Sequence, residues 1–269
     1  MKTPKDLEKI KEELREIMLT LGDRIKDYES VSKSKLMKRT PVIIRLDGCH
    51  FHTFTKCFDK PFDNILVETM QETMQYLCQK IQGCVLGYTQ SDEITLVLVD
   101  YKNLNTSPWF DYEVQKLCSV SASMCSMFFN KTLKNKIEQN LFTTGNAEKY
   151  NKTMDTVTNG AYFDARVFNV PIDEVLNAVL FRQNDCTRNS IFALASSYFC
   201  HKQLQGKNGN EMQEMLFQEH GVNWNDLPTH LKRGSCCIKN NEGKWFIDNE
   251  IPIFKGEGKD YIEKLIKFE

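Results

Sequence analysis

The sequence predicts an α+β fold: a split βαβ (ferredoxin-like) antiparallel sheet with packed helices and a smaller C-terminal α/β unit. Between residues 41 and 170, short β-branched runs and helical runs alternate as strand–helix–strand–strand–helix–strand. A polar turn at residues 89–92 separates two of those runs, the mark of a hairpin. The chain has 269 residues, 41% hydrophobic and 26% charged, the make-up of a soluble globular protein with a core of ordinary size.

Residues 4–29 read as a charged helix, with Leu7, Ile10, Leu14, Ile17, Met18 and Leu21 at helical spacing. The spacing suits a docked amphipathic helix better than a free partner-binding arm. Pro41 to Asp47 reads as a buried strand stopped by Gly48. Pro61 to Gln82 reads as a helix with Gly83 at its C-terminal cap. Cys84–Tyr88 and Glu93–Val99 are the hairpin strands, and Trp109 to Lys136 is a long helix. The polar stretch 139–160 reads as an exposed insertion. Ala161 to Val170 is a fourth strand. Pro171 opens a helix that ends near 181, and after a polar break a further helix covers 188–204. Beyond it come a helix at 210–220, a hairpin at 235–239 and 244–247, and a terminal helix at 257–267. The domain reading is a helical extension over 1–40, a catalytic domain over 41–206 and a smaller unit over 207–269.

Charge and cysteine usage narrow the function classes. Thirty-five basic and 36 acidic residues leave a net charge of −1. This excludes a histone-like polycation but not a nucleic-acid enzyme, which needs only a local basic patch. No apolar run approaches the ~20 residues of a membrane span, and the Lys- and Glu-rich start does not read as a secretory signal and argues against a transit peptide. The ten cysteines contain no CxxC, and Cys78, Cys118, Cys125 and Cys200 lie in apolar runs. Free thiols and a cytoplasmic location are expected.

Two acidic sites stand at strand ends of the expected sheet. Asp47 ends the first strand, and Asp92 with Glu93 sits at the turn before the third. In a split βαβ sheet the first and third strands are neighbours, so these ends meet. Two carboxylates brought together repel unless cations lie between them, as in a two-metal phosphoryl or nucleotidyl transfer site. Magnesium keeps several waters, so few protein ligands suffice, and the Gly48 carbonyl is a further one. Taken singly, an Asp after a strand is most simply a turn or cap residue. The Asp47–His52 segment offers backbone N–H groups to a triphosphate. His50 and His52 read as structural or phosphate-contacting groups rather than metal ligands. Lys60, Lys116, Arg166, Arg182 and Arg188 are each ordinary surface charges unless the fold gathers them on phosphates.

Several motifs in order resemble the tRNA-His guanylyltransferase superfamily: Arg45-Leu-Asp-Gly-Cys-His-Phe-His52, Lys60-Pro-Phe-Asp63, Tyr88-Thr-Gln-Ser-Asp-Glu93, Phe163-Asp-Ala-Arg-Val167 and Arg182-Gln-Asn-Asp-Cys186. The resemblance runs from about residue 41 to 239. It implies a polymerase-like palm that adds nucleotides 3′-to-5′ at a tRNA 5′ end, after activation of the 5′-monophosphate by ATP. It implies two Mg2+ ions, ATP and GTP or other nucleoside triphosphates as substrates, tRNA as partner, and a homotetramer. By the same resemblance Asp47, Gly48 and Asp92 hold metal, and Glu93 completes the acidic turn and assists catalysis. Cys49, His50, Phe51, His52, Lys60, Ser91 and Lys116 join Asp47, Gly48 and Asp92 at nucleotide-contact positions. Arg166, Arg182, Arg188 and Asn189 are candidate contacts to tRNA or a second nucleotide.

Three departures matter. Thr187-Arg-Asn-Ser-Ile191 replaces the His-Ile-Asn-Asn-Leu run of the strict tRNA-His enzymes. Together with Gly221-Val-Asn-Trp-Asn-Asp-Leu-Pro228 it resembles the guanylyltransferase-like branch, associated with template-directed repair of 5′-truncated tRNAs. Cys49 stands where the family often has a basic residue. Repair or editing of tRNA 5′ ends is the leading expectation, and guanylate addition at position −1 of tRNA-His the close alternative. A non-catalytic RNA-binding sheet would instead display exposed aromatics. A nucleotide cyclase on a similar palm is a more remote option.

Overall fold

The computed structural model describes residues 8–13, 20–144 and 147–268. Its centre is a six-stranded antiparallel sheet in the order β4-β1-β3-β2-β5-β6. The strands are β1 (Val42–Cys49), β2 (Cys84–Gln90), β3 (Glu93–Leu98), β4 (Tyr162–Asn169), β5 (Ser235–Lys239) and β6 (Trp245–Asp248). The first four keep the split βαβ order expected from the sequence. The C-terminal hairpin extends the same sheet, because β5 pairs with β2 through Gly87↔Cys237 to Thr89↔Ser235.

Counting helices of seven residues or more, α1 is Leu21–Ser30, α2 Asn64–Lys80, α3 Val114–Thr144 and α4 Ala147–Asn159. The remaining three are α5 (Val175–Ser196), α6 (Gly209–His220) and α7 (Asp260–Ile266). α2 starts where Asp63 accepts from the backbone N–H groups of Ile65 (2.9 Å) and Leu66 (3.2 Å), a cap worth about 1 kcal/mol. Its Met70, Met74, Leu77 and Cys78 face one side of the sheet, in a core shared with Leu46, Leu96 and Phe129. A Cβ on Gly87 would lie 2.5 Å from Cys78 Sγ, so glycine lets α2 approach β2. The other side buries Val85, Val97, Val175, Val179 and Ile262 beneath α5 and α7.

Four expectations need correction. The 4–29 helix breaks at Thr20, which is extended (φ −63°, ψ 160°) and caps α1 through Asp23. No residue of α1 is buried, so docking of this segment is not observed; Leu7, Leu14, Ile17 and Met18 lie outside the described residues. The stretch 139–160 is not an exposed loop, since α3 runs to Thr144 and α4 follows, with Thr153 and Val157 buried. β1 passes through Gly48 to Cys49. The polar break at 182–188 does not exist, because α5 is continuous across it.

Candidate active site

Register brings the acids together. Asp47 on β1 lies opposite Glu93 on β3, and the Gly48 N–H donates to the Asp92 carbonyl at 3.1 Å. This bond fixes the end of β1 against the Ser91–Asp92 turn. On the other side of β1, Asp47 lies opposite Asp164. The two backbones that enter this corner are unusual: Ser91 has φ 50° and His50 φ 56°, both left-handed. Such conformations cost about 1–2 kcal/mol in a non-glycine residue and persist where surrounding structure enforces them. Gly48 belongs to the same corner. A Cβ there would lie 2.2 Å from the Phe51 ring.

The carboxylates differ in environment. Asp47 is half exposed, with the Arg166 guanidinium 4.0 Å away. Burial raises the Asp92 carboxyl above its ordinary pKa, the Ser91 hydroxyl pulls it back, and the neighbouring Asp47 charge adds to the rise. Glu93 is also raised by burial, opposed by its bonds to Arg182. Its two carboxylate oxygens accept from Arg182 Nε and Nη2, each at 2.6 Å. Arg182 Nη1 donates to Asp185 at 2.6 Å, and Arg188 donates to the other oxygen of Asp185. Arg45 Nε is buried without a hydrogen bond, 4.0 Å from Glu93. Glu93 is therefore the internal end of an ion-pair chain, while Asp47 and Asp92 keep carboxylate oxygens for a ligand.

Among the described residues no three His, Cys, Asp or Glu side chains form a metal cage. Two carboxylates and one backbone carbonyl remain, an all-oxygen set that suits a hydrated hard cation and not zinc.

Beside Asp92 opens a cleft of about 330 Å³, lined by His52, Thr55, Lys60, Asp63 and Ser91 over an apolar floor that includes Met70. Cys49 and His50, at the end of β1, do not line it; His50 is exposed and Cys49 half-buried, with the Cys49 thiol 4.0 Å from Asp164. The Phe51 ring is buried against Phe54, Phe129 and Phe163 and also lines this cleft. One candidate is placed differently from expectation. Lys116 is paired with Glu113 at 3.5 Å near the start of α3. That end of α3 adjoins Ser34, and the helix reaches the Asp47 end of β4 only where Ser126 bonds Phe163. One chain therefore does not bring Lys116 to the acids. Arg166 lies beside Asp47, Arg182 beneath Glu93, and Arg188 and Asn189 further along α5. Sequence reasoning missed Arg45 and Asp185 as parts of the ion-pair chain; a charged residue inside an otherwise apolar strand is the signal that marks Arg45.

The family model for tRNA(His) guanylyltransferase matches residues 22–171. An uncharacterized protein of Acanthamoeba polyphaga mimivirus is 30% identical over 226 residues, 80% of this chain and 75% of its own. The tRNA(His) guanylyltransferase of Schizosaccharomyces pombe is 28% identical over 80% of this chain and 78% of its own. Among solved structures, a bacterial tRNA(His) guanylyltransferase-like protein in complex with ATP aligns at a TM-score of 0.82 and 41% identity. It covers 93% of this chain and 100% of that one. A complex of such a bacterial protein with GTP aligns at 0.75 and 38% identity, covering 92% and 99%.

Proposed function

The chain belongs to the tRNA(His) guanylyltransferase family and is a nucleotidyltransferase, and from that membership we propose that it extends RNA 3′-to-5′, repairing or editing 5′-truncated tRNAs. The observation that carries the reading is the meeting of Asp47 and Asp92 at adjacent strand ends, above a cleft with a lysine and hydroxyl groups. The ATP- and GTP-bound relatives support nucleoside triphosphates as its substrates.

In this reading Asp47, Asp92 and the Gly48 carbonyl would hold magnesium, which would supply charge neutralisation at phosphate and activation of the nucleophile. Lys60, Ser91, His52 and the backbone N–H groups after Gly48 orient the triphosphate. ATP first transfers its adenylyl group to the 5′-monophosphate, and pyrophosphate leaves. The 3′-hydroxyl of the incoming nucleotide then attacks the activated 5′ phosphorus, and AMP leaves. The protein contributes position and charge compensation in both steps. Glu93 holds Arg182 and, through it, α5 against the corner.

Guanylate addition to tRNA-His is the second reading, favoured by the names of the curated relatives. A stacking-only RNA module is not favoured, because the exposed sheet aromatics, Tyr162, Phe168 and Phe246, lie on the two outer strands, away from the central strands whose faces helices cover. All ten thiols are free, which supports the cytoplasm as the location. No helix among the described residues is long and apolar enough to cross a membrane. We place the protein in a homotetramer: Tyr162 and Phe168 are exposed on β4, at the edge of the sheet. Light scattering should give about four times the 31.3 kDa chain mass; a monomer would refute the tetramer.

A panel of 5′-truncated tRNAs tests the activity. Wild-type protein should restore Watson–Crick-matched nucleotides on non-histidine tRNAs, and Asp47→Ala and Asp92→Ala should abolish transfer. Extension of tRNA-His alone would select the second reading, and substantial activity in either variant would sink the metal assignment.

A further inference from the structure

A second cleft, of about 150 Å³, shares Phe62, Met70 and Ser91 with the first. Its far wall comes from Asn189 and Ala193 on α5 and from His230 and Leu231 in the short helix Thr229–Arg233. Ser235 and Gln71 at its base are spent on each other and on Asn249, at 2.7–2.9 Å. Three other polar side chains lining it are not spent: the amides of Gln90 and Asn189 and the imidazole of His230 make no hydrogen bond among the described residues. Burial lowers the His230 pKa, so its ring is neutral near pH 7 and offers one donor and one acceptor. Each amide offers both as well. A planar ligand with donors and acceptors along its edge, set between apolar walls, matches this surface.

Size and rim charge narrow the ligand. The cleft is well below the roughly 300 Å³ of a typical small-ligand site, enough for one base but not for a sugar and triphosphate. Its surroundings are cationic. Arg188 is exposed on α5, where it also pairs with Asp185, and Lys232 and Arg233 follow His230, with the Lys232 carbonyl tied to Thr187 at 3.2 Å and its Nζ donating to the Asn225 carbonyl at 2.5 Å. Such cations outside a base-sized cleft suit the phosphates on either side of one nucleotide in a strand.

We propose that this second cleft receives one unstacked nucleobase of the RNA substrate strand, next to the nucleotide handled at Asp47 and Asp92. The proposal rests on the function given above and identifies where the strand, rather than the free triphosphate, is gripped. His230, Gln90 and Asn189 meet the base edge, Phe62 and Leu231 its faces, and Arg188 and Arg233 the flanking phosphates.

Binding without turnover separates this proposal from that activity. Full-length protein is titrated into a fluorescein-labelled 5′-truncated tRNA without nucleotides, and anisotropy gives Kd. His230→Ala, and Ala193→Trp, which fills the cleft, should each weaken tRNA binding about tenfold, the scale of one lost base-stacking contact. The KM for ATP should stay within about twofold. A tRNA carrying 4-thiouridine in its acceptor end should photocrosslink to the peptide containing His230, and 8-azido-ATP should label elsewhere. If Ala193→Trp does not fold, His230→Ala and the crosslink decide. Wild-type tRNA affinity in the folded variants overturns the proposal, as does labelling of the His230 peptide by the azido nucleotide and not by the RNA. Loss of RNA binding in the variants of a protein that transfers nothing to any tRNA would keep the cleft and overturn the activity instead.

Discussion

Removing the Arg182 guanidinium should destabilise the protein more than any surface substitution, by an amount that depends on pH. Arg182 makes two 2.6 Å bonds to Glu93 and one 2.6 Å bond to Asp185. In Arg182→Met, Asp185 keeps Arg188, whereas Glu93 keeps only the Thr95 hydroxyl at 3.4 Å and Arg45 at 4.0 Å. One carboxylate is then left buried and nearly uncompensated, a change that costs about 3–5 kcal/mol. For a chain of this size that corresponds to a fall in Tm of roughly 6–20 °C. The sign of the pH dependence follows from burial, which raises the Glu93 carboxyl in the folded state while Arg182 opposes the rise. A carboxyl raised on folding gives its greatest stability below the unfolded pKa, and stability falls as pH rises toward the folded pKa. Without Arg182 the folded pKa climbs further and the fall deepens. Wild-type and variant stabilities should therefore converge in acid and separate toward pH 8 in urea titrations. Adding Glu93→Gln to Arg182→Met should recover part of the loss, because the uncompensated charge is gone. A loss below about 1 kcal/mol at pH 8, or one equal at pH 5 and pH 8, would refute the buried-pair account.

Two further outcomes are expected. Gly48→Ala forces a Cβ against the Phe51 ring at 2.2 Å, so it should cost about 1–3 kcal/mol in urea unfolding and lower the transfer rate; wild-type stability would show that the corner relaxes freely. In the metal-free protein the Asp92 carboxyl should titrate above the ordinary carboxylate range by NMR, because burial and the Asp47 charge raise it. Ser91→Ala, which removes a bond that lowers that pKa, should move the titration to higher pH, and an unmoved titration would refute the role of that bond.

The sheet was legible in the sequence because its signals are local. Gly83 and the Ser91–Asp92 turn bound β2 and β3, and the strand–helix order leaves one common antiparallel arrangement, which places Asp47 beside Asp92. What failed to read were residues whose polarity is satisfied at long range. Arg182-Gln-Asn-Asp185 has the composition of a solvated break, yet Arg182, Gln183 and Asp185 turn inward. Gln183 donates to the Pro252 carbonyl and accepts from the Phe254 N–H, both at 2.9 Å, from a segment about seventy residues away. The same applies to 139–160, where Asn, Thr and Lys outnumber the few apolar residues that face the core. Lys116 was displaced for a different reason: spacing in sequence does not say which end of a 31-residue helix lies near the acids.

The continuity of α5 links these errors to the chemistry. Arg182 and Asn189 lie two turns apart on one helix, about 10 Å along its axis. One grips Glu93 at the acid corner, and the other lines the second cleft. The polar residues that look like a break are therefore what holds the two clefts at a constant spacing. The C-terminal segment acts in the same way without a candidate catalytic residue of its own. Through Gln183 it fixes α5, and through β5 it pairs with β2 just before the turn that carries Asp92. A net charge of −1 conceals this arrangement, since the acids that count are confined to one corner. The cations that compensate them run from the buried Arg182 on Glu93 and Asp185 to Arg188, which reaches Asp185 from the exposed rim.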